Sequence, residues 1–447
     1  MTIDRLPDVA LLEIFDFYMG EEHSETWPTL VHVCRKWRNV VFGSPRRLSL
    51  LLFCKARTPV RETLDVWPPL PIAIFAIDDK KWGDDSIIAA LEHNDRIYKI
   101  CLSFVSSPQS KNVLEEMQQP FPALETLLLV CEDKTPPVLR DSFLGGSVPS
   151  LQKLWLDHLP FPGLPKLLLS ATHLVDLQLW RIPHSGYISP EVMVTCLSVL
   201  TRLKSIIIKF ESPQSRPDRR RPPPQTRILL PVLSTLEFKG VSEYLEDLVA
   251  RIEVPLLNRL GIAFFHQLTF DTPQLKQFIS RTSKFNPHDR AYVQFNNWVV
   301  SMTLPPKIVG ELELELAVFC GKSDWQLSWL AQICSSTFPR ALISAVEHLH
   351  IDGDMSELDW QDDIESSQWL ELLQPFTGVK NFYISRGFAP RIAPTLQELA
   401  EGRVTDVLLP ALKTILLQET RLSGSAIEHF VAARLLAGHP VAISQWE

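Results

Sequence analysis

Residues 124–129 read Leu-Glu-Thr-Leu-Leu-Leu, residues 151–156 read Leu-Gln-Lys-Leu-Trp-Leu, and residues 174–179 read Leu-Val-Asp-Leu-Gln-Leu. All three spell L-x-x-L-x-L, whose last three positions alternate as a short half-buried strand does. Seven more copies obey the same rule: Ile97, Ile100, Leu102; Leu203, Ile206, Ile208; Leu233, Leu236, Phe238; Leu257, Leu260, Ile262; Val346, Leu349, Ile351; Val379, Phe382, Ile384; and Leu412, Ile415, Leu417. Apart from one gap of 89 residues between Leu257 and Val346, neighbouring copies start 23 to 33 residues apart.

Helix starts fall between the strands. Ser189-Pro190-Glu191, Ser242-Glu243, Thr272-Pro273 and Ser323-Asp324 each combine a capping residue with proline or an acidic first turn. One strand and one helix per ~30 residues cannot bury their apolar faces alone, so such units stack into a curved array. The period is that of a leucine-rich repeat or slightly longer. Glu132, Leu159, Ile182 and Glu211 stand where an asparagine or cysteine would bond the turn backbone, so irregular repeats are expected. Three intervals of about 30 residues would fill the gap, with strands at Leu312, Leu314, Leu316, Val318 and at 291–295. The array should close in a cap over 423–447, where Ile427, Phe430, Val431 and Leu435 share helical spacing and Gly438 and Pro440 end the helix.

Composition bounds the rest. The chain has 447 residues, 45% apolar and 21% charged, with 44 basic against 52 acidic groups and a net charge of −8. That balance argues against nucleic acid as a partner of the whole chain. No run approaches the ~20 apolar residues of a membrane span, so no membrane partner is expected. Cysteines 34, 54, 101, 131, 196, 320 and 334 contain no CxxC pair and read as reduced thiols. A cytoplasmic or nuclear protein is expected. Residues 211–227 carry five arginines and almost nothing apolar, the composition of a disordered insertion between repeats, with nuclear import or polyproline docking as the other reading.

The first 47 residues differ from the rest of the chain. Leu11, Ile14, Phe15 and Tyr18 fall on one helix face, with Pro7 tolerated before it, and Val33, Trp37, Val40 and Val41 form a second helical cluster. So few residues make no core of their own. Leu6-Pro7-Asp8, Leu11-Leu12-Glu13-Ile14-Phe15, Val33-Cys34-Arg35-Lys36-Trp37-Arg38 and Pro45 resemble the F-box motif in order and spacing. The remainder resembles fungal F-box proteins with degenerate leucine-rich repeats. The resemblance implies an α/β chain: an all-α F-box at 1–47, then an irregular leucine-rich-repeat-like solenoid at 48–447. It further implies that Leu6, Pro7, Leu11, Leu12, Ile14, Phe15, Val33, Cys34, Trp37 and Pro45 dock a Skp-type adaptor, and through it a cullin, in a ubiquitin ligase. The repeats would then hold an unknown protein substrate. The alternative is a repeat-based protein-binding scaffold whose F-box-like segment is an internal amino-terminal cap.

No catalytic constellation is complete in the sequence. Gly321-Lys322-Ser323 has the placement of a phosphate loop, but Leu316 stands where its first glycine belongs. His348, His350, Asp352 and Asp354 alternate on one strand face beside an acidic run, and Glu357 occupies the glycine position of a calcium loop begun at Asp352. No G-x-S-x-G, H-E-x-x-H or G-x-G-x-x-G occurs. A non-enzyme with no cofactor and no metal is therefore expected. In each repeat the leucines point inward, so the third and fifth positions face the exposed side of the strands. Trp155, His350 and Tyr383 lie there, with Trp180 nearby, and are the candidate substrate contacts.

Overall fold

The structure is a computed structural model that describes residues 6–18, 27–43, 50–54, 60–66, 69–76, 83–104, 107–213, 226–267, 270–282, 288–306, 313–319, 326–353, 366–401, 408–418 and 425–446. Residues 214–225 of the arginine-rich stretch, Pro45, the Gly321-Lys322-Ser323 segment with Asp324, and Asp354 through Glu357 lie outside them. The chain divides into two compact units, Met1–Ile188 and Ser189–Glu447.

The first unit opens with three helices, α1 (Asp8–Tyr18), α2 (Trp27–Val33) and α3 (Arg35–Gly43). Then come β1 (Leu50–Phe53), α4 (Val60–Val66), β2 (Ile72–Ala76), α5 (Asp84–Leu91), β3 (Ile97–Phe104), α6 (Ser107–Glu116), β4 (Thr126–Cys131), β5 (Lys153–Asp157), α7 (Leu164–Ser170) and β6 (Asp176–Ile182). The six strands pair in parallel, in chain order. Two of them, β1 and β2, precede the first repeat that the leucine pattern marks. Neither carries L-x-x-L-x-L, so the array starts earlier than its signature.

A recurrent hydrogen-bond device sets the register. The Glu125 carbonyl accepts the N–H groups of Gln152 and Lys153 at 2.7 and 3.0 Å, and the Gln152 carbonyl accepts those of Val175 and Asp176 at 2.7 and 3.0 Å. The same bifurcated step recurs from Lys204 to Ser234 and Thr235, and from Lys380 to Lys413 and Thr414. It aligns the leucines of adjacent units: Leu127 sits opposite Leu154, and Leu154 opposite Leu177, each 1% exposed or less. Burying a leucine side chain this fully contributes roughly 2 kcal/mol, and stacking repeats this contribution in every unit. Where the usual turn asparagine is missing, His158 and Arg181 take left-handed backbone angles. Arg181 then donates to the Cys131 carbonyl at 3.3 Å, so a side chain two repeats on satisfies part of the turn backbone.

The second unit contains α8 (Pro190–Leu197), β7 (Ser205–Phe210), β8 (Ile228–Leu229), β9 (Thr235–Gly240), α9 (Ser242–Val249), β10 (Ile252–Glu253), β11 (Arg259–Phe265), α10 (Pro273–Arg281), β12 (Arg290–Phe295), β13 (Val299–Leu304) and β14 (Glu313–Phe319). It continues with α11 (Gln326–Thr337), α12 (Arg340–Ser344), β15 (His348–Gly353), α13 (Ser366–Leu373), β16 (Asn381–Ile384), α14 (Ala389–Glu401), β17 (Thr414–Leu417), α15 (Ser425–Leu436) and β18 (Ala442–Gln445). Its main sheet runs β7-β9-β11-β14-β13-β12-β15-β16-β17-β18, with β8 and β10 paired apart.

The 89-residue gap does not hold three strand–helix repeats. It holds a meander in which β13 is antiparallel to both β12 and β14, while β14 runs parallel to β11 and β12 parallel to β15. The reversal is made at Asn296, whose side chain accepts the N–H groups of Trp298 and Val299 at 3.0 and 2.8 Å, a local turn that competes with helix. Two of the described helix starts depart from their expected caps. Ser189 accepts from Val192, as expected of a capping serine. Thr272 instead pairs with Thr337, and the Glu246 carboxylate of α9 accepts the first-turn N–H groups of Gln274 and Leu275 at 2.8 and 2.7 Å. Ser242 likewise receives no cap of its own; its N–H donates to Gln267. At the carboxy terminus α15 ends near Gly438 at φ +81°, as read from the sequence, but the chain then adds β18 parallel to β17. All four β18 residues are exposed, so a strand rather than the helix is the last element of the sheet.

Candidate functional site

Contrary to the expectation that so few residues make no core, the helical trio packs its own helices around a small interior. Leu11 and Phe15 of α1, Leu30 and Val31 of α2, and Val40 and Val41 of α3 are all buried. The Phe15 ring lies 4.8 Å from Trp37, tilted by 58°. Backbone and polar links hold the entry: the Pro7 carbonyl accepts from Leu11 at 3.1 Å, Lys36 donates to the Leu6 carbonyl at 2.8 Å, and Arg38 donates to the Val31 carbonyl at 3.0 Å. The Cys34 sulfur accepts the Trp37 N–H at 3.5 Å, and Leu12 is half-buried. The expected single apolar face is thus divided. Leu11 and Phe15 turn inward, whereas Ile14 is 47% exposed and Val33 58%. Two residues not anticipated join the outer face, Val9 and, one turn from Ile14, Phe17 at 92% exposure. The i to i+3 spacing of Ile14 and Phe17 was the available signal.

In the first unit Trp155 and Trp180 come together on the exposed sheet face, their rings stacked 5.9 Å apart at 21°. Trp180 donates to the Gln178 side chain at 3.2 Å, which donates to Asp176 at 2.9 Å. Arg181 pairs with Asp157 at 2.6 Å beyond it. These tryptophans are therefore braced locally, while the Trp155 indole N–H has no partner.

His350 and Tyr383 meet in the second unit. The sheet register places Tyr292, His350 and Tyr383 on one rung. His350 lies between the two tyrosines, 4.4 Å from Tyr292 at 17° and 3.9 Å from Tyr383 at 7°. Trp446 closes the stack edge-on, 6.2 Å from His350 and 6.0 Å from Tyr383. His348, on the next rung, is within hydrogen-bonding distance of Asn381 at 3.3 Å and of Tyr383 at 3.5 Å. Burial first, then the charges of His348 and Arg290, pull the His350 pKa down to about 4 against the opposing Asp352. The ring is accordingly neutral at physiological pH. Tyr292 lies in the strand expected at 291–295, but its pairing beside β15 does not follow from the repeat, and the strand that leads to Trp446 has no signature in the sequence.

Along the same rung the stack gives way to Thr303, Glu315 and Gly261, and on the neighbouring rung to Ser301, Ala317 and Ala263. Apart from Glu315, whose carboxylate lies 4.0 Å from Arg259, these short side chains form a low strip. Its far side is charged: Arg259 pairs with Glu237 and Glu313 at 3.3 Å each, Lys209 pairs with Glu237 at 2.8 Å, and Lys239 lies 3.9 Å over the Phe319 ring. A strip of small residues between an aromatic wall and an ionic wall can seat an extended segment, with rings for apolar contact and charges for register.

Among the described residues no group of three or more His, Cys, Asp or Glu could hold a metal ion, and no helix is long and apolar enough to cross a membrane. No family model matches the sequence. No curated protein matches it either. Among solved structures, the leucine-rich repeat-containing protein LegL7 from Legionella pneumophila aligns with 88% of this chain and 98% of its own, at 12% identity and a TM-score of 0.28. At that score the likeness carries no weight, and the repeat architecture rests on the strand register and the recurring carbonyl device.

Proposed function

We propose that this chain is a non-catalytic recognition adaptor of a Skp-cullin-F-box ubiquitin ligase. Its helical trio docks a Skp-type adaptor, and through it a cullin, while the exposed face of the repeat sheet holds a protein substrate in the cytoplasm or nucleus. The observation that carries this reading is the outward set Val9, Ile14, Phe17 and Val33 on a trio whose interior is already filled by Leu11, Phe15 and Val41. Large apolar side chains left outside a packed interior favour a partner surface, with aromatic residues as the usual anchors. Tethering a substrate beside a conjugating enzyme then acts through effective concentration and needs no catalytic group on this chain. The test is co-purification of the full chain with a Skp-type adaptor. Ile14→Asp with Phe17→Asp is expected to abolish association, and unchanged association refutes the docking role.

A second reading is favoured by the complete burial of Leu11. In it the trio is an internal cap on a protein-binding scaffold. Indifference of the intact, monomeric chain to the adaptor, with loss of solubility when residues 1–47 are removed, would select that reading.

A further inference from the structure

The carboxy end of α9 is met by two arginines from outside the helix. Arg281 Nη2 donates to the Val249 and Ile252 carbonyls at 2.6 and 2.9 Å, and Arg227 Nε donates to the Ala250 carbonyl at 3.3 Å. The Val249 and Ala250 carbonyls end the helix, lack intrahelical partners and carry the negative end of its dipole, which accounts for one edge of each guanidinium. The other edges are unaccounted for. Arg281 Nη1 is buried with no hydrogen-bond partner. Lys276 makes only a 3.5 Å bond to the Ser335 carbonyl. Among the described residues none of Arg227, Lys276 or Arg281 forms an ion pair.

These three cations line one groove of about 480 Å³ together with Pro273, Gln277 and Ser280. Lys276 with Ser280, and Gln277 with Arg281, are spaced i to i+4 on α10, so successive turns present them to the same side. Burial, then the charge of Arg227, lowers the Arg281 pKa from its ordinary value, and Glu253 opposes this without forming an ion pair. Three positive groups held together with no ion-paired carboxylate repel one another, Glu253 offsetting only part of this, and a bound dianion relieves the repulsion. Guanidinium forks match tetrahedral oxyanions in geometry, and an ammonium supplies a further point charge. The groove is also larger than a bare oxyanion needs, leaving room for whatever carries it.

We propose that this groove binds a phosphate monoester, with Arg227, Lys276 and Arg281 as the clamp and Gln277 and Ser280 as supplementary donors. It is built on the helix layer, not on the exposed sheet face, and it stands whether or not the chain docks a ligase. Titration calorimetry on the full chain tests it, with phenyl phosphate, inorganic phosphate, and a phosphoserine peptide beside its unphosphorylated form, all at matched ionic strength. Phenyl phosphate is expected to bind measurably more tightly than chloride, and Lys276→Glu and Arg227→Ala should each weaken it by about tenfold or more. Lys276 and Arg227 lie outside the core, so the melting temperature without ligand should remain that of the parent. A phosphopeptide that binds more tightly than phenyl phosphate identifies a phosphorylated protein segment as the source. Equal affinity identifies a small soluble ester. Phosphate ligands that bind no better than chloride, or variants that bind like the parent, overturn the proposal.

Discussion

The His350 and Tyr383 rings lie 3.9 Å apart and within 7° of parallel, across two adjacent strands of the second unit. Stacking over this face removes much of the water that would solvate an imidazolium, and His348 and Arg290 add positive charge. The folded chain therefore holds His350 neutral down to about pH 4, whereas the unfolded chain protonates it near 6.5. Between these values the unfolded state binds more protons, so stability is full above pH 6.5 and declines as pH falls toward 4. After allowance for its partial exposure, the loss is on the order of 1 to 2 kcal/mol. An NMR titration should give a midpoint near 4 for His350, and a midpoint near 6.5 would contradict the stacked, desolvated ring.

Phe15 and Phe17, two residues apart on α1, should behave oppositely. Phe15→Ala opens a cavity against Trp37 and should lower the stability of the first unit by about 3 kcal/mol. Phe17→Ala removes an exposed ring and should leave stability within about 0.5 kcal/mol of the parent. Chemical denaturation of the two variants decides it.

Glu246→Ala removes the carboxylate that accepts the Gln274 and Leu275 N–H groups. The expected cost is about 1 to 2 kcal/mol, felt as faster amide exchange in the first turn of α10, because no local cap replaces it. Unchanged exchange at Leu275 would show that the cross-helix cap contributes nothing.

Gly378→Ala should be among the most damaging small changes. A Cβ there would run into the Ser344 carbonyl oxygen, a backbone atom that cannot step aside. The turn before β16 must then shift, with an expected loss of about 2 kcal/mol or more in thermal unfolding.

Thiol reactivity should separate the described cysteines. Burial pushes Cys54 up to about 12 and Cys196 up to about 11, and raises Cys334 as well, so little thiolate is present at neutral pH. Cys34 is only partly buried. Mass-resolved alkylation of the native chain should modify Cys34 first, and Cys54, Cys196 and Cys334 only after unfolding. Early labelling of Cys334 would show that α11 opens readily.

The leucine pattern identified every repeat strand that carries L-x-x-L-x-L, because inward leucines are demanded by burial and little else satisfies it. It missed β1 and β2, whose Leu50–Phe53 and Ile72–Ala76 segments are apolar almost throughout and carry no period. The meander was hidden for another reason. Val299-Val-Ser-Met-Thr-Leu alternates plainly, yet alternation is silent about direction, and the turn at Asn296 determines that. At the site, His350 and Tyr383 were found because each follows from its place in the repeat. Tyr292 and Trp446 were not, since their positions depend on pairings distant in the chain. Helical spacing groups Phe15 with Ile14 because it defines a face but not which edge of it the neighbouring helices cover.

The order of strands in the second unit differs from the order of their synthesis. When β11 leaves the ribosome at Phe265 its neighbour β14, beginning at Glu313, does not yet exist, and β12 and β13 are made first. From β15 to β18, by contrast, each new strand finds a partner already in place. At β11 the growing edge must wait through some 48 residues, from 265 to 313, with its backbone groups open. Such a pause is where a nascent chain is most exposed to mispairing and most dependent on a chaperone, so folding yield should respond to changes in the 290–319 region out of proportion to their effect on the finished protein.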